Sequence, residues 1–421
     1  MTSTDSPSRF SASTASRSGS YTPLPKVLRI FWVGSITAFA LFLLIAYLQS
    51  HKGISHNGWN PLNDPFLEDL IINRPSFKLL HSAEFFHNPS SVAYPPFSAV
   101  VLGMMYSAPH PLELYAAIFI AALATAILYV RRLMIDSGIN PITATLFPLS
   151  LALITFPVEG LFQRGNIELF LWIFAAAGIW AYLRDHNDAA AILWAFAAAM
   201  KLYPVIFLIL LIPRHKFRAL FLGVLSFFSI SLLSMMYLGP NISTAFWGSL
   251  RNTFGYQGVR AAEWSFHELA ANHSFFGLVR LVALILGHSS MNLTLPYYLT
   301  GAVVMAIAFF GRIRNLPIAN QVLTVSVFMV MLPSVSYFYT LVHLYAPWLI
   351  LIFIAIRAHR AGKHIEGLEL TIMLFLPLFA SFTLFTFRSL FLFGGLIQAF
   401  FLLLLFLSGL QYPFAEPVPS E

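Results

Sequence analysis

Long apolar runs recur along this chain, and they constrain its fold more than any other feature of the sequence. The first, from Val27 to Gln49, is long enough to cross the ~30 Å hydrocarbon core of a bilayer. Only 10% of the residues are charged and 58% are hydrophobic, whereas soluble domains carry about 25% charged residues. The runs are continuous rather than alternating, which indicates helices and not a β-barrel. The sequence therefore predicts an all-α polytopic membrane protein.

The polar segments divide the chain into a tail, one transmembrane domain and a second short tail. Residues 1–25 are rich in Ser and Thr and are expected to form a disordered cytoplasmic tail. The transmembrane domain covers residues 26–412, and residues 413–421 form the C-terminal tail. Two long polar intervals interrupt the apolar runs, at 50–96 and 239–274. We expect the first interval to contain helices, because its apolar residues follow a helical spacing.

The basic residues suggest how the spans are oriented. Predicted spans include Glu168 to Leu183 and Ala219 to Leu238, whereas Phe97 to Ala108, which is too short to cross comfortably, and Phe275 to Gly287 are interpreted as short or re-entrant pieces. If those two pieces do not cross, every basic cluster lies on one side of the membrane, as the positive-inside rule requires. This arrangement predicts about twelve spans, with both termini inside and both polar intervals outside. The net charge of +7 is thus a topology signal and does not indicate a nucleic-acid partner.

Three carboxylates lie close together in the first polar interval, at Asp64, Glu68 and Asp69. Asp64 is surrounded by aromatic and conformationally rigid residues. Apolar surroundings disfavour the charged form of a carboxylate, which makes it a better proton acceptor. We interpret Asp64 or Asp69 as a general base, and a solvated charged loop is the alternative interpretation.

Cationic and amide side chains stand at the mouths of two later spans. Gln163, Arg164 and Asn166 offer donors suited to phosphate or sugar hydroxyls, and arginine can bind phosphate through two parallel hydrogen bonds. Lys201 lies between apolar segments, where a lysine costs roughly 2.5–3.5 kcal/mol, and Pro204 breaks the helix beside it. Both cations are candidates to bind a lipid-linked phosphate. The alternative is that they extend to the lipid headgroups.

Other polar groups lie at the ends of apolar segments without forming a recognisable metal site. The chain contains no cysteine, which excludes thiolate chemistry and disulfides. The histidines, including His273 and His343, do not have the spacing of metal ligands. We therefore predict no metal and no cofactor.

Several short motifs occur in an order that is characteristic of one enzyme family. Tyr94-Pro95-Pro96 is followed by the Gln163 to Asn166 motif, by Lys201 to Pro204, by Asn272 to Arg280, and by Leu332 to Tyr337. This succession resembles glycosyltransferase family 87, the polyprenol-phosphate-mannose-dependent α-mannosyltransferases of the GT-C fold. His273 stands where the family has glutamine.

The resemblance implies an activity and a set of site residues. Mannose would pass from a polyprenyl-phosphate donor to a lipid or glycan acceptor at the outer face of the cell membrane, by a single inverting displacement. Ser76 aligns with the family's aspartate, so the base remains Asp64 or Asp69, with Lys201 and Arg164 binding the phosphate. The residues implied to bind substrate are Tyr94, Gln163, Asn166, Tyr203, Asn272, His273, Tyr337 and His343.

Two other functions fit the composition. A transporter or flippase of lipid-linked glycans would explain the spans and the buried lysine, but no inverted repeat is visible. A glycan polymerase or ligase would use a different lipid donor, and its external loops would be larger and richer in arginine.

Overall fold

The computed structural model describes residues 21–51, 66–86, 94–251, 272–287, 293–380 and 388–415. All regular elements in these ranges are helical, so the predicted all-α class is confirmed. The α-helices are α1 (Lys26–His51), α2 (Glu68–Asn73), α3 (Pro96–Tyr106), α4 (Pro111–Asp136), α5 (Pro141–Ile154), α6 (Phe156–Arg164), α7 (Glu168–Leu183), α8 (Asn187–Met200), α9 (Phe217–Leu238), α10 (Phe275–Ile285), α11 (Thr294–Gly311), α12 (Ile318–Met331), α13 (Tyr345–Arg360), α14 (Leu368–Leu374), α15 (Leu376–Phe379) and α16 (Arg388–Gln411). The 3₁₀-helices are Ser76–Leu79, Ala83–Phe86, Tyr203–Leu211, Ile313–Asn315 and Phe338–Leu344, and residues 242–251 are also helical.

Six helical segments of the described chain are long and apolar enough to cross a membrane: Lys26–Leu48, Pro111–Asp136, Phe217–Leu238, Thr294–Asn315, Phe338–Arg360 and Phe393–Gln411. Helices α5 and α6 make a seventh candidate, bent by 52°. The protein is therefore a membrane protein. Helices α3 and α10 contain 11 residues each, about 16 Å, which matches the interpretation of these two pieces as short. The total of twelve spans stays a prediction.

The bend between α5 and α6 has a local cause. Thr155 has an extended backbone (φ −101°, ψ 134°), and Pro157 follows in the first turn of α6, where its missing N–H is harmless. The Thr155 hydroxyl donates to the Leu151 carbonyl at 2.6 Å and so satisfies one of the last acceptors of α5. Helix α6 leaves the bend at a new angle, and its last residue is Arg164.

A second interruption follows α8. Lys201 has an extended backbone (φ −144°, ψ 136°), and the chain then continues as the 3₁₀-helix Tyr203–Leu211 with Pro204 in its first turn. The fully buried Trp194 of α8 stacks on Phe207, with ring centroids 5.5 Å apart. Gly178 of α7 allows the indole to approach, because a Cβ there would lie 2.3 Å from its nitrogen. Lys201 is thus fixed between two firmly packed segments.

A separate apolar cluster supports residues 66–86. Phe77 and Phe85 contact each other, Phe77 also contacts Tyr106 at a centroid distance of 4.8 Å, and Leu70 is 1% exposed. The predicted helical character of this part of the first polar interval is confirmed by α2 and the two 3₁₀-helices that follow it. Helix α2 therefore lies against the membrane domain with its charged first turn next to α6.

Candidate active site

The end of α6 sets the geometry of the site. Gly165 ends the helix in the left-handed conformation (φ 62°), and its N–H bonds the Leu161 carbonyl at 3.1 Å. Asn166 follows, and its side-chain oxygen accepts the N–H of Glu168 at 3.0 Å, so it orders the start of α7. This turn places Arg164, Asn166 and Glu168 within five residues, although only Arg164 and Glu168 belong to helices.

Helix α2 brings two adjacent carboxylates to one guanidinium. Nη1 of Arg164 donates to Oε2 of Glu68, and Nη2 donates to Oδ1 of Asp69 at 2.5 Å. The connection before α2 is held by the backbone, because the Leu67 N–H bonds the Gln163 carbonyl at 2.6 Å. Leu67 is itself in the left-handed region (φ 60°), which is unusual for a leucine. The carboxylates are therefore positioned by direct attachment of α2 to the end of α6.

Asn166 links the acidic helix to the buried lysine. Its Nδ2 donates to Oδ2 of Asp69 at 2.5 Å and to the hydroxyl of Tyr94 at 3.4 Å, and its Oδ1 accepts from Nζ of Lys201 at 3.4 Å. The hydroxyl of Tyr115 fixes the backbone of this residue by donating to its carbonyl at 3.0 Å. A single amide thus separates the carboxylate of Asp69 from the ammonium of Lys201.

Glu168 is the counter-ion of Lys201. Its side chain is fully buried, and Oε2 accepts from Nζ of Lys201 at 2.5 Å, while Oε1 accepts from the Tyr203 hydroxyl and lies 2.7 Å from Nε2 of His343. Three partners around one carboxylate are what a buried charge requires to be tolerated. The Lys201 ammonium also lies 5.1 Å from the Tyr94 ring centroid and 5.8 Å from that of Tyr339. The predicted cost of Lys201 is thereby offset within the protein.

Three residues of the site carry buried polar atoms that have no hydrogen-bond partner in the described protein. The atoms are the amide oxygen and nitrogen of Gln163, Nε of Arg164 and Nδ1 of His343. Each such buried group costs about 1–3 kcal/mol unless something binds it. The cavity beside Asp69, Tyr94 and Asn166 has room for about one water molecule. Gln163, Arg164 and His343 do not line this cavity, and a sugar needs more space than it offers.

Two predicted substrate-binding residues, Asn272 and His273, lie in a different polar cluster. Asn272 donates to the Ser334 carbonyl at 2.8 Å and accepts from the Ser336 N–H at 2.9 Å. It therefore holds the irregular segment that precedes the 3₁₀-helix Phe338–Leu344. Nε2 of His273 lies 2.9 Å from the Ser336 hydroxyl. Burial lowers the pKa of His273 to about 3, so its imidazole is neutral. Their geometry positions the segment that carries His343.

The structure brings together most of the predicted site. Seven of the residues selected from the sequence lie in one hydrogen-bonded network: Asp69, Tyr94, Arg164, Asn166, Lys201, Tyr203 and His343. Gln163 is adjacent and buried, and Tyr337 contacts Tyr339 at a centroid distance of 6.2 Å. Asp64 lies outside the described residues. The roles assigned to all these residues stay predictions.

Glu168 and Glu68 were not selected from the sequence as site residues. A glutamate in the first turn of an apolar helix looks like an ordinary helix-dipole partner, which hid Glu168. Its signal was its position, because a carboxylate that opens an apolar span needs a cation, and both Arg164 and Lys201 were candidates. Among the described residues, no group of three or more His, Asp or Glu side chains could hold a metal ion.

A comparison of the sequence with protein families identifies a known class of enzyme. A sequence profile described as "Glycosyltransferase family 87" matches residues 93–336, more than half of the chain. The chain belongs to glycosyltransferase family 87. It is therefore a glycosyltransferase, with a sugar donor and an acceptor as substrates. A comparison with curated proteins and a comparison with solved structures each gave no match. The matched range contains Arg164, Asn166 and Lys201, whereas the carboxylates of α2 precede it.

Proposed function

We propose that this glycosyltransferase moves mannose from a polyprenyl-phosphate donor to a hydroxyl of a lipid or glycan acceptor, with inversion at the anomeric carbon. The observation that carries the proposal is the network joining Asp69 to two cations. Asp69 contacts Arg164 directly and is separated from Lys201 by the Asn166 amide alone. A base and a phosphate-binding pair are the two requirements of such a displacement, and this network supports both.

The donor phosphate is assigned to Lys201 and Arg164. Both side chains are mostly shielded from solvent, with exposures of 14% and 33%. In surroundings of low polarity a fixed cation stabilises developing negative charge far better than water does. As the bond between the sugar and the phosphate breaks, the departing phosphate gains charge next to these two groups. Phosphate is already a good leaving group, so the mechanism needs no second carboxylic acid.

Asp69 is assigned as the general base. Its carboxylate accepts the proton of the acceptor hydroxyl, whose oxygen attacks the anomeric carbon on the face opposite the phosphate. Asn166 holds Oδ2 of Asp69, and Arg164 holds Oδ1, which fixes the carboxylate plane before the substrates bind. Preorganisation of this kind favours Asp69 over Glu68, whose side chain has Arg164 as its single hydrogen-bond partner in the described chain. Asp64 is the competing candidate.

The overall arrangement that we propose is a GT-C fold of about twelve spans within residues 26–412. Both termini lie in the cytoplasm, and the site lies on the outer side of the cell membrane. The basic residues near the end of α4 and around the start of α9, Arg131, Arg132, Arg214 and Arg218, support the orientation because the cytoplasmic ends of spans and the adjoining loops are enriched in arginine and lysine.

The test is a transfer assay on the purified, detergent-solubilised protein. Radiolabelled polyprenyl-phosphate-mannose is incubated with a membrane lipid extract as acceptor, and labelled products are separated from the donor. We expect transfer by the wild type and a fall of about 10²- to 10⁴-fold in kcat for Asp69→Asn. Asp64→Asn, which removes the competing carboxylate of the same polar interval, is measured in parallel and should retain transfer.

Three results would contradict the proposal. Full activity of Asp69→Asn together with inactivity of Asp64→Asn would move the base to Asp64. Transfer from polyprenyl-phosphate-glucose but not from the mannose donor would refute the donor sugar. Consumption of a lipid-diphosphate glycan in place of either donor would indicate a polymerase or ligase.

A further inference from the structure

Arg164 forms ion pairs with two carboxylates, and the two pairs differ in how easily they can be broken. Asp69 has a second partner in Asn166 at 2.5 Å, and its side chain is 15% exposed. Glu68 is 31% exposed, and Arg164 is the only hydrogen-bond partner of its side chain among the described residues. Of the two ion pairs, the one with Glu68 is therefore the easier to break, since water can replace its lost contact.

A phosphate that binds across both Nη atoms of this guanidinium competes with the two carboxylates that hold them. Each Nη of Arg164 donates to a different carboxylate, so the fork that would bind two phosphate oxygens is taken. Binding of a phosphate across both Nη atoms therefore requires that one carboxylate leave Arg164, and Asp69 is retained by Asn166.

We propose that Glu68 is a place-holder for the donor phosphate: it neutralises Arg164 in the empty site and is displaced when the donor binds. This inference rests on the proposed function, because it takes Arg164 as a phosphate-binding residue. It assigns Glu68 a role in setting donor affinity that is separate from proton transfer. A carboxylate and a phosphate are competing anions on one cation, so the ion pair with Glu68 lowers the affinity for the donor.

The place-holder has a consequence for catalysis. When phosphate replaces Glu68 on Nη1, Asp69 keeps its contacts with Arg164 and Asn166, and the guanidinium then links the base to the leaving group. The donor phosphate thus takes the place of Glu68 beside the guanidinium, whereas in the empty site both carboxylates contact Arg164. Glu68 in this account is a positioning residue and touches no reacting atom.

The test compares Glu68→Gln with Glu84→Gln. Both changes remove one negative charge from the segment 66–86, but Glu84 is exposed on the 3₁₀-helix Ala83–Phe86 and makes no contact with Arg164. We expect Glu68→Gln to lower the KM for polyprenyl-phosphate-mannose by about two- to fivefold, which corresponds to the loss of a partly exposed ion pair, with kcat changed less than about twofold. Glu84→Gln should leave both constants unchanged.

A binding measurement separates failure of this inference from failure of the proposed function. The apparent Kd of a short-chain polyprenyl phosphate is measured on the purified protein without acceptor, for the wild type and both variants. Tighter binding to Glu68→Gln alone supports the place-holder even if no mannose is transferred, a result that would refute only the proposed function. Glu68→Asp, whose side chain is one carbon shorter, is a second test of the competition and should also bind the polyprenyl phosphate more tightly.

The following outcomes would overturn the inference. An unchanged or raised KM in Glu68→Gln would show that no competition exists. An equal fall of KM in Glu84→Gln would show a general effect of charge on donor attraction. Loss of kcat in Glu68→Gln, with thermal stability retained, would show that Glu68 takes part in the chemistry.

Discussion

A single methyl group added at Gly165 should displace helix α2, which carries Asp69, from Arg164. It lies in the left-handed region (φ 62°), and a Cβ built there would be 2.8 Å from Cα of Leu67 and 3.0 Å from Cβ of Leu67. Ordinary contacts between such atoms begin near 3.4 Å, so Gly165→Ala requires a shift of about half an ångström or more. The obstructing atom belongs to the backbone, and Leu67 directly precedes Glu68 and Asp69. The substitution therefore displaces the proposed base.

Two costs are combined in Gly165→Ala, and Gly362 separates them. An alanine in the left-handed region costs about 1–2 kcal/mol wherever it occurs. Gly362 has nearly the same backbone (φ 60°) after α13, but nothing lies within 4 Å of its Cβ position. Gly362→Ala thus carries the conformational cost without the clash, and the two variants differ in the displacement of α2 alone.

We expect Gly165→Ala to lose far more activity than its lower stability alone would cause. Misplacement of a reacting group by about 1 Å can cost roughly 10²-fold in rate, so a shift of half that size predicts a fall of about tenfold or more in kcat. Gly362→Ala should keep near-wild-type kcat, and its melting temperature should fall by no more than that of Gly165→Ala. The assay is mannose transfer at saturating donor, alongside thermal unfolding in the same detergent. Equal kcat values for the two variants would refute the claim that the Leu67–Gly165 contact positions α2.

Two further predictions concern the buried ion pair and the topology. Glu168→Gln leaves the Lys201 charge without its counter-ion, which should destabilise the protein by about 3–5 kcal/mol and abolish transfer. The double variant Glu168→Gln/Lys201→Met should regain part of the melting temperature but no activity, and an unaltered melting temperature in the single variant would contradict this account. For the topology, the native chain has no cysteine, and Arg132 and Arg218 have side chains that are 82% and 86% exposed. Single cysteines at these positions should react with an impermeant maleimide only after the cells are permeabilised, whereas Glu84→Cys should react in intact cells; labelling in the reverse pattern would invert the arrangement.

Hydropathy was sufficient to predict the helical class and several helix bounds, whereas the total of twelve spans stays a prediction. The expected segment from Glu168 to Leu183 coincides with α7, and the span from Ala219 to Leu238 differs from α9 by two residues at its start. Such agreement follows from the physics of the bilayer, because each span must satisfy its own backbone and is therefore encoded locally. The helical content of residues 66–86 was also predicted, since its apolar spacing is a local property as well.

The pairing inside the site could not be predicted in the same way. The contact between Asp69 and Arg164 joins residues 95 positions apart, and that between Glu168 and His343 joins residues 175 positions apart. Nothing in the composition of either segment specifies the partner. The sequence indicated that Lys201 is costly between apolar segments and is a candidate to bind a phosphate, but identification of Glu168 as its counter-ion required the packing of α7 against α8. Selection between Asp64 and Asp69 depends on the same kind of long-range contact.

The balance of charge in the site explains why Glu68 and Asp69 lie on the short helix α2. Among the described residues of the network, Glu68, Asp69 and Glu168 face two permanent cations, Arg164 and Lys201, which leaves one net negative charge when His343 is neutral. A phosphate that entered without any rearrangement would add a second negative charge to a largely buried space, at a cost of several kcal/mol. Glu168 cannot move to relieve it, because it is fully buried by α7 and its partners. Glu68 can, since its side chain is 31% exposed and Arg164 is its single hydrogen-bond partner among the described residues. Outward movement of one exposed carboxylate would let the donor enter while Glu168 continues to hold Lys201, so donor affinity and the stability of the buried pair can be altered independently.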